Sequence, residues 1–123
     1  MPKLTLQRIP FTTDTDARLR RLKGQTGLTP NILARIGFCM SLEEPGTPPQ
    51  PSKESLAGRE INRYTLLGEY DTALVSLLVA RAARDGDALD KTLDASFIAH
   101  MNRGVELTAA RVKSLCDLGA LCK

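Results

Sequence analysis

The chain has 123 residues, 17 Lys plus Arg against 14 Asp plus Glu for a net charge of +3, and 42% hydrophobic residues that include three Phe, two Tyr and no Trp. A domain of this size buries about two-thirds of the surface its unfolded form exposes, and a core built mainly from Leu, Ile, Val and Ala favours a mainly α fold. No apolar run approaches the roughly 18 residues of a membrane span, and the start Met1-Pro2-Lys3-Leu4-Thr5 lacks a signal peptide's apolar stretch, so the expected setting is the cytoplasm, away from membranes.

Taken in chain order, Ile9 and Phe11 alternate with Arg8, Pro10 and Thr12, which reads as a short N-terminal strand with one apolar face. Thr12 or Thr13 then caps a first helix that carries Asp14 and Asp16 at its start and a basic cluster at its end, the order a helix dipole prefers. Ala17, Leu19 and Leu22 are its expected buried positions. The ten residues Leu22 to Asn31 end that helix and begin another: Gly24 or Gly27 supplies the left-handed stop, Thr29 the next cap and Pro30 the first turn. The second helix is expected to bury Ile32, Leu33, Ile36, Cys39 and Met40 and to leave Arg35 outside.

Charge is concentrated at this hinge. Residues 1–44 hold seven basic and four acidic residues, whereas residues 45–123 hold ten of each. Between Ala17 and Leu42 there are five basic residues and no acid, so a local positive field centred on Arg18, Arg20, Arg21 and Lys23 survives in a chain of modest net charge. Such a patch suits phosphate, although a charge run also serves simply as a solvated helix face.

Pro45, Pro48, Pro49 and Pro51, with Gly46 and Gly58, make residues 44–59 a long surface loop within a single domain spanning 1–123. Beyond it, Tyr70, Ala73, Leu74, Leu77, Leu78 and Arg81 follow helical spacing, and Val75 and Val79 widen the apolar surface enough to predict a helix buried on several sides. Asp87 is expected to start a fourth helix with Leu89, Leu93, Phe97 and Met101 in one row, stopped by Gly104. Thr108 is expected to cap a fifth that carries Val112, Leu115 and Leu118. Strand, helix, tight turn and helix over residues 8–42 is the order of a ribbon-helix-helix module. Such modules pair strands between two chains, so the reading implies an oligomeric core in which Ile9 and Phe11 lie at an interface that a monomer would expose.

Four blocks carry a resemblance across almost the whole chain. They are Leu22-Lys23-Gly24-x-Thr26-Gly27-Leu28-Thr29-Pro30-Asn31; Ser41-Leu42-Glu43-Glu44; Asn62-Arg63-Tyr64-Thr65-Leu66 with Gly68-Glu69-Tyr70-Asp71; and His100-x-Asn102-Arg103-Gly104. Their content and order resemble the DndE proteins of bacterial DNA phosphorothioation, a sulfur modification of restriction-modification type in which sulfur replaces a non-bridging phosphate oxygen. The resemblance implies a ribbon-helix-helix variant that assembles as a homotetramer, associates with double-stranded DNA containing nicks, and works beside the sulfur-transfer proteins of the same system without being an enzyme itself. It places Gly24 and Gly27 at a subunit contact and Arg18, Arg20 and Lys23 on an outer DNA-facing surface, with Arg21 added by its position in the cluster. Pro10 departs from a base-reading ribbon, since proline has neither a polar side chain nor an amide hydrogen. Binding through phosphates without sequence readout is therefore the expectation.

Other chemistries find thinner support. Gly24-Gln25-Thr26-Gly27 also matches the G-x-x-G loop of KH domains, but the helix-rich remainder does not supply their three-stranded sheet. His100 is the single histidine, and no nucleophile elbow, Walker loop or metal-ligand spacing is present, so no catalytic residue, metal or cofactor is assigned. Cys39, Cys116 and Cys122 contain no Cys-x-x-Cys pair and read as structural thiols, Cys39 as a small hydrophobe on an apolar helix face. A protein scaffold for the sulfur-transfer machinery is the remaining alternative, with Asn62, Arg63, Tyr64 and Tyr70 as partner contacts or, equally, as buried turn residues.

Overall fold

A computed structural model describes residues 3–86 and 93–121. Strand β1 (Arg8–Pro10) leads into helices α1 (Thr13–Thr26) and α2 (Pro30–Glu43). After the proline-rich loop come β2 (Glu60–Asn62), the short α3 (Arg63–Leu67), a 3-10 turn (Gly68–Tyr70), α4 (Asp71–Asp85), α5 (Asp94–Arg111) and α6 (Leu115–Leu121). The mainly helical expectation holds.

The local signals around the hinge act as their chemistry requires. The Thr12 hydroxyl accepts the Thr15 amide at 3.0 Å, Asp14 and Asp16 lie in the first turn, and Gly27 takes φ +78° while its amide donates to the Lys23 carbonyl at 2.8 Å. Gly24 stays inside α1. Pro30 opens α2 behind Thr29, whose hydroxyl pairs with the Asn31 side chain and leaves the backbone amides uncapped. Leu19 and Leu22 are fully buried, whereas Ala17 is exposed.

Helices α2 and α5 form the centre of the fold, and they touch backbone to backbone. A Cβ on Gly37 would stand 2.6 Å from the carbonyl carbon and oxygen of Gly104, and a Cβ on Gly104 would overlap the Gly37 carbonyl. Gly104 therefore does not stop a helix; it lies deep within α5, because the absence of its side chain admits the partner helix. Thr108 likewise caps nothing: it continues α5 and its hydroxyl bonds back to the Gly104 carbonyl at 2.9 Å. Asp87 and Leu89 lie outside the described residues, but Leu93, Phe97 and Met101 do form one buried row, extended by Val105 and Ala109.

This close crossing also changes which face of α2 is buried. Leu33, Ala34, Gly37, Phe38, Ser41 and Leu42 face inward, while Ile32 and Cys39 are exposed and Ile36 and Met40 half-buried. Small residues win the inner face because they allow the helices to approach, and Phe38 then packs against Phe97 at a centroid distance of 5.1 Å. Helix α4 is buried along only one side, through Leu74, Leu78, Arg81 and Ala82; Leu77 is 51% exposed.

The expected two-chain ribbon is not how β1 finds a partner. It pairs antiparallel with β2 of the same chain, Ile9 opposite Ile61 and Pro10 opposite Glu60. Past the strand, Asn102 of α5 accepts the Thr12 amide at 3.0 Å. Ile9 and Phe11 are consequently 0% exposed within one chain, so neither is left uncovered for another subunit. The loop of residues 44–59 returns tightly enough that a Cβ on Gly58 would meet the Thr12 carbonyl oxygen at 2.6 Å.

Because both sides of the crossing are backbone, Gly104→Ala is expected to destabilise the fold by about 3 kcal/mol through forced helix separation. Chemical denaturation measures it; an unchanged midpoint and slope would contradict the close crossing.

Candidate nucleic-acid interface

Helix α1 presents the basic cluster, but its geometry divides the four residues. At about 100° per residue, Arg18 and Arg21 point to the flank next to α5, while Arg20 and Lys23 point to the opposite flank. Each flank meets acid or carbonyl that lies far away in sequence or on the same helix. Arg18 reaches Glu106 of α5 at 2.9 Å, and an Arg21 N–H donates to the Ala109 carbonyl at 3.4 Å. On the other side Asp16, only 6% exposed, receives Arg59 at 2.6 Å and Arg20 at 3.2 Å.

Arg20 remains 72% exposed along its side chain despite that pair, and an exposed ion pair contributes only about 0 to 1 kcal/mol, little hindrance to a phosphate. Lys23 is exposed and has no carboxylate partner among the described residues. Arg21 is likewise exposed with no carboxylate partner among the described residues, so the positive charge is least neutralised at Arg21 and Lys23, partly offset at exposed Arg20 and most offset at Arg18. The absence of acid between Ala17 and Leu42 did not foretell this, since Asp16 and Glu106 both stand outside that window. Gly24 and Gly27 are also exposed, and a Cβ at either would meet nothing within 4 Å. Nothing in the chain itself demands glycine at position 24; the positive φ demands it at 27.

A second polar cluster closes the carboxyl end of α2. Arg103 donates to the Ser41 hydroxyl at 2.8 Å and to the Ser41 carbonyl at 2.7 Å, and Arg81 donates to the Leu42 carbonyl at 2.7 Å. Both guanidinium groups also reach the Gly46 carbonyl. Two cations thereby satisfy the carbonyls that α2 leaves unpaired and favour the negative end of its dipole. The Ser41 hydroxyl, which accepts the Arg103 N–H, is also hydrogen-bonded to His100 Nδ1 at 2.8 Å. Ser41 stands in one sequence block, His100 and Arg103 in another and Arg81 in neither; their spatial union follows from the glycine crossing one turn away.

Ser41 and His100 are almost entirely buried, so this pair is closed to a substrate. Burial, with Arg103 and Arg81 nearby, holds the His100 pKa down to about 4. Among the described residues no three His, Cys, Asp or Glu side chains gather as metal ligands. Cys39 is exposed, yet partial desolvation and Glu43 push its thiol pKa up, which disfavours the nucleophilic thiolate. Cys116 is exposed on α6, and Cys122 lies outside the described residues. Asn62 caps α3 by accepting the Tyr64 amide at 2.8 Å. Arg63 grips Asp71 through two 2.8 Å bonds. Both are structural turn residues, whereas Tyr64 is 83% exposed and Tyr70 lies under the Arg35 guanidinium at 5.4 Å.

The buried neutral imidazole carries a pH signature. An unfolded chain takes up a proton near pH 6.5 that the folded chain refuses until about pH 4. The stabilising contribution is therefore complete above pH 6.5, falls as pH drops through that window, and is gone below pH 4, a loss of about 3 kcal/mol. Melting curves from pH 7 to 4 should show it, and His100→Gln should flatten that part of the dependence; an equal slope in both proteins would refute the assignment.

Comparison with known proteins agrees with this geometry. The family model described as DNA sulphur modification protein DndE matches residues 8–115. The crystal structure of DndE from Escherichia coli B7A, involved in DNA phosphorothioation modification, is 27% identical, with a TM-score of 0.64 over 85% of this chain and 98% of that one. A DndE mutant with two glycines replaced by lysine, also involved in DNA phosphorothioation, is 25% identical, with a TM-score of 0.59 over 83% of this chain and 96% of that one. No curated protein matches. With the family match spanning both flanks of α1 and the whole α2–α5 crossing, the chain belongs to the DndE family of DNA sulphur modification proteins.

Proposed function

We propose that this protein is the non-catalytic DNA-binding component of a phosphorothioation system, holding duplex DNA, nicked duplex included, through phosphate contacts without reading sequence. The observation that carries the reading is the end of α1, where Arg20, Arg21 and Lys23 stand exposed within four residues. Phosphate contact needs only such cations, whereas base readout needs a polar element that enters a groove. The strand expected to supply one, β1, is a three-residue segment ending in Pro10 and paired within the chain. A nick leaves these phosphates in place and adds a joint at which the backbone adapts to the protein.

One such cluster is a weak binder, and oligomerisation multiplies it. The exposed Gly24 and Gly27 lie between the two basic flanks, and their bare backbone suits close approach by another copy of α1. A homotetramer built partly on this face would present several clusters to one duplex. The scaffold reading draws its support from Tyr64, an aromatic ring left in solvent, and predicts that sulfur-transfer partners bind where DNA does not.

Fluorescence anisotropy with nicked and intact duplexes separates the two. Arg20→Glu with Lys23→Glu should weaken binding equally across sequences and reduce the salt slope by about 0.9 per contact removed; unchanged affinity in a folded double variant would sink the DNA reading. Glu106→Gln, which frees Arg18 from its ion pair, is expected to raise affinity by up to about fivefold, the free energy of one surface pair.

A further inference from the structure

Helix α6 begins where the family match ends, at residue 115, and it stands over a surface that it does not fill. At about 100° per residue, Leu115, Leu118 and Gly119 share one side of this helix, an arc of about 100°. Leu118 is seated in the core, 7% exposed. Between that side of α6 and Ile36, Cys39 and Met40 of α2 lies a hollow of about 600 Å³, and among the described residues Glu43 is the one charged side chain on its border. Leu115 borders the same hollow and is 54% exposed. An aliphatic side chain left in solvent beside an unfilled apolar wall forgoes both the hydrophobic gain and the dispersion contacts that filling the wall brings.

We propose that α6 is a hinged cover: it swings on residues 112–114 and closes on the outer side of α2, putting Leu115 into the hollow and shutting the Cys39 thiol away from solvent. The link has the parts of a hinge. Val112 ends α5 in extended backbone, φ −118° and ψ 125°, and its buried side chain ties that end to the body of the fold. The bonds that start α6 are its own. The Asp117 amide donates to the Ser114 carbonyl at 3.1 Å and the Asp117 carboxylate accepts the Lys113 amide at 2.8 Å, so the helix and its first turn move as one piece. Gly119 presents bare backbone to the approach, with nothing within 4 Å of the place its Cβ would take. The tether selects α6 over an outside occupant, because a segment joined through three residues meets the hollow at high effective concentration, and Leu118 already holds one point of the contact. Open, the device bares Cys39 and a strip of apolar α2; closed, it withdraws both. The cations of α1 take no part in it.

A disulfide holds its two Cβ atoms about 3.8 Å apart, and in the open arrangement nothing, Cys39 included, stands within 4 Å of a Cβ at position 119, so a bond between the two positions reports closure. In full-length protein with Cys116→Ser and Cys122→Ser, Gly119→Cys should lose both free thiols under diamide while running as a single chain on a non-reducing denaturing gel. Ala120→Cys, on the far side of the same helix, should keep its thiols. The chain contains no Trp, so Leu115→Trp supplies a single reporter, whose acrylamide quenching should fall several-fold below that of free tryptophan. Adding Ile36→Glu, which puts a charge under the cover, should restore the quenching, with circular dichroism verifying that each variant is folded. Retention of both thiols in Gly119→Cys, a disulfide formed only between chains, equal bonding by Ala120→Cys, or quenching of the Leu115→Trp ring as in free tryptophan would each overturn the cover.

Discussion

Everything in this fold is arranged around the contact between the Gly37 and Gly104 backbones. Helices that cross with side chains between them keep roughly 8 to 10 Å between axes; here two bare Cα positions remove that spacer. The consequence one turn along is chemical. Ser41 comes within reach of His100 and Arg103, and the last carbonyls of α2 come within reach of two guanidinium groups. Buried polar groups are costly unless all are paired, and among the described residues every buried side-chain nitrogen and oxygen has a partner. The glycines and the polar cluster thus require one another: the cluster is satisfied only at the close spacing, and it holds α2 and α5 at that spacing.

The same dependence explains what a single sequence does and does not disclose. Signals that act within one turn were legible: the Thr12 cap, the Gly27 stop, Pro30 at the start of α2, the acidic first turn of α1. Each needs only its own neighbours. Gly104 was misread as a stop because a glycine that ends a helix and a glycine that admits another helix are identical until the second helix is placed. The inner face of α2 was misread for a related reason. Ile32, Ile36, Cys39 and Met40 form the more hydrophobic row, but Ala34, Gly37 and Ser41 form the row that α5 can approach. Burial followed fit rather than hydropathy. The partner of β1 was hidden by distance, because Ile61 stands beyond a proline-rich loop that gives no hint of returning to the strand.

The candidate site was legible in composition and illegible in arrangement. Four cations in six residues announce a positive helix end, yet their effective charge depends on Glu106 and Arg59, which arrive from other elements. Asp16 serves two ends at once, favouring the helix start and holding Arg59 beside Arg20. The resulting field is graded rather than uniform, highest toward Lys23, where α1 gives way to the turn that Gly27 closes. On the proposed reading, a duplex approaching that end would meet exposed side chains on a helix, which recognise spacing and charge rather than bases.

Weak, graded charge is also what makes assembly matter. A monomer with net charge +3 exerts little long-range attraction at physiological salt, where fields fade within about 8 Å. On the proposed reading, copies joined by symmetry would keep the same charge density but engage one polyanion at several points, each further contact becoming intramolecular once the first is made. The surfaces that remain after the α2–α5 core is formed then acquire a division of labour. The glycine-lined outer line of α1 is poor in charge along its centre and charged at its margins, which suits the subunit contact proposed for it. The cations flanking α1 are long, flexible and peripheral to such a contact, so joining the subunits would not consume them. A fold held together by the removal of two side chains at its centre leaves its charged side chains at the edges, where, on the proposed reading, another subunit and a DNA backbone would both reach them.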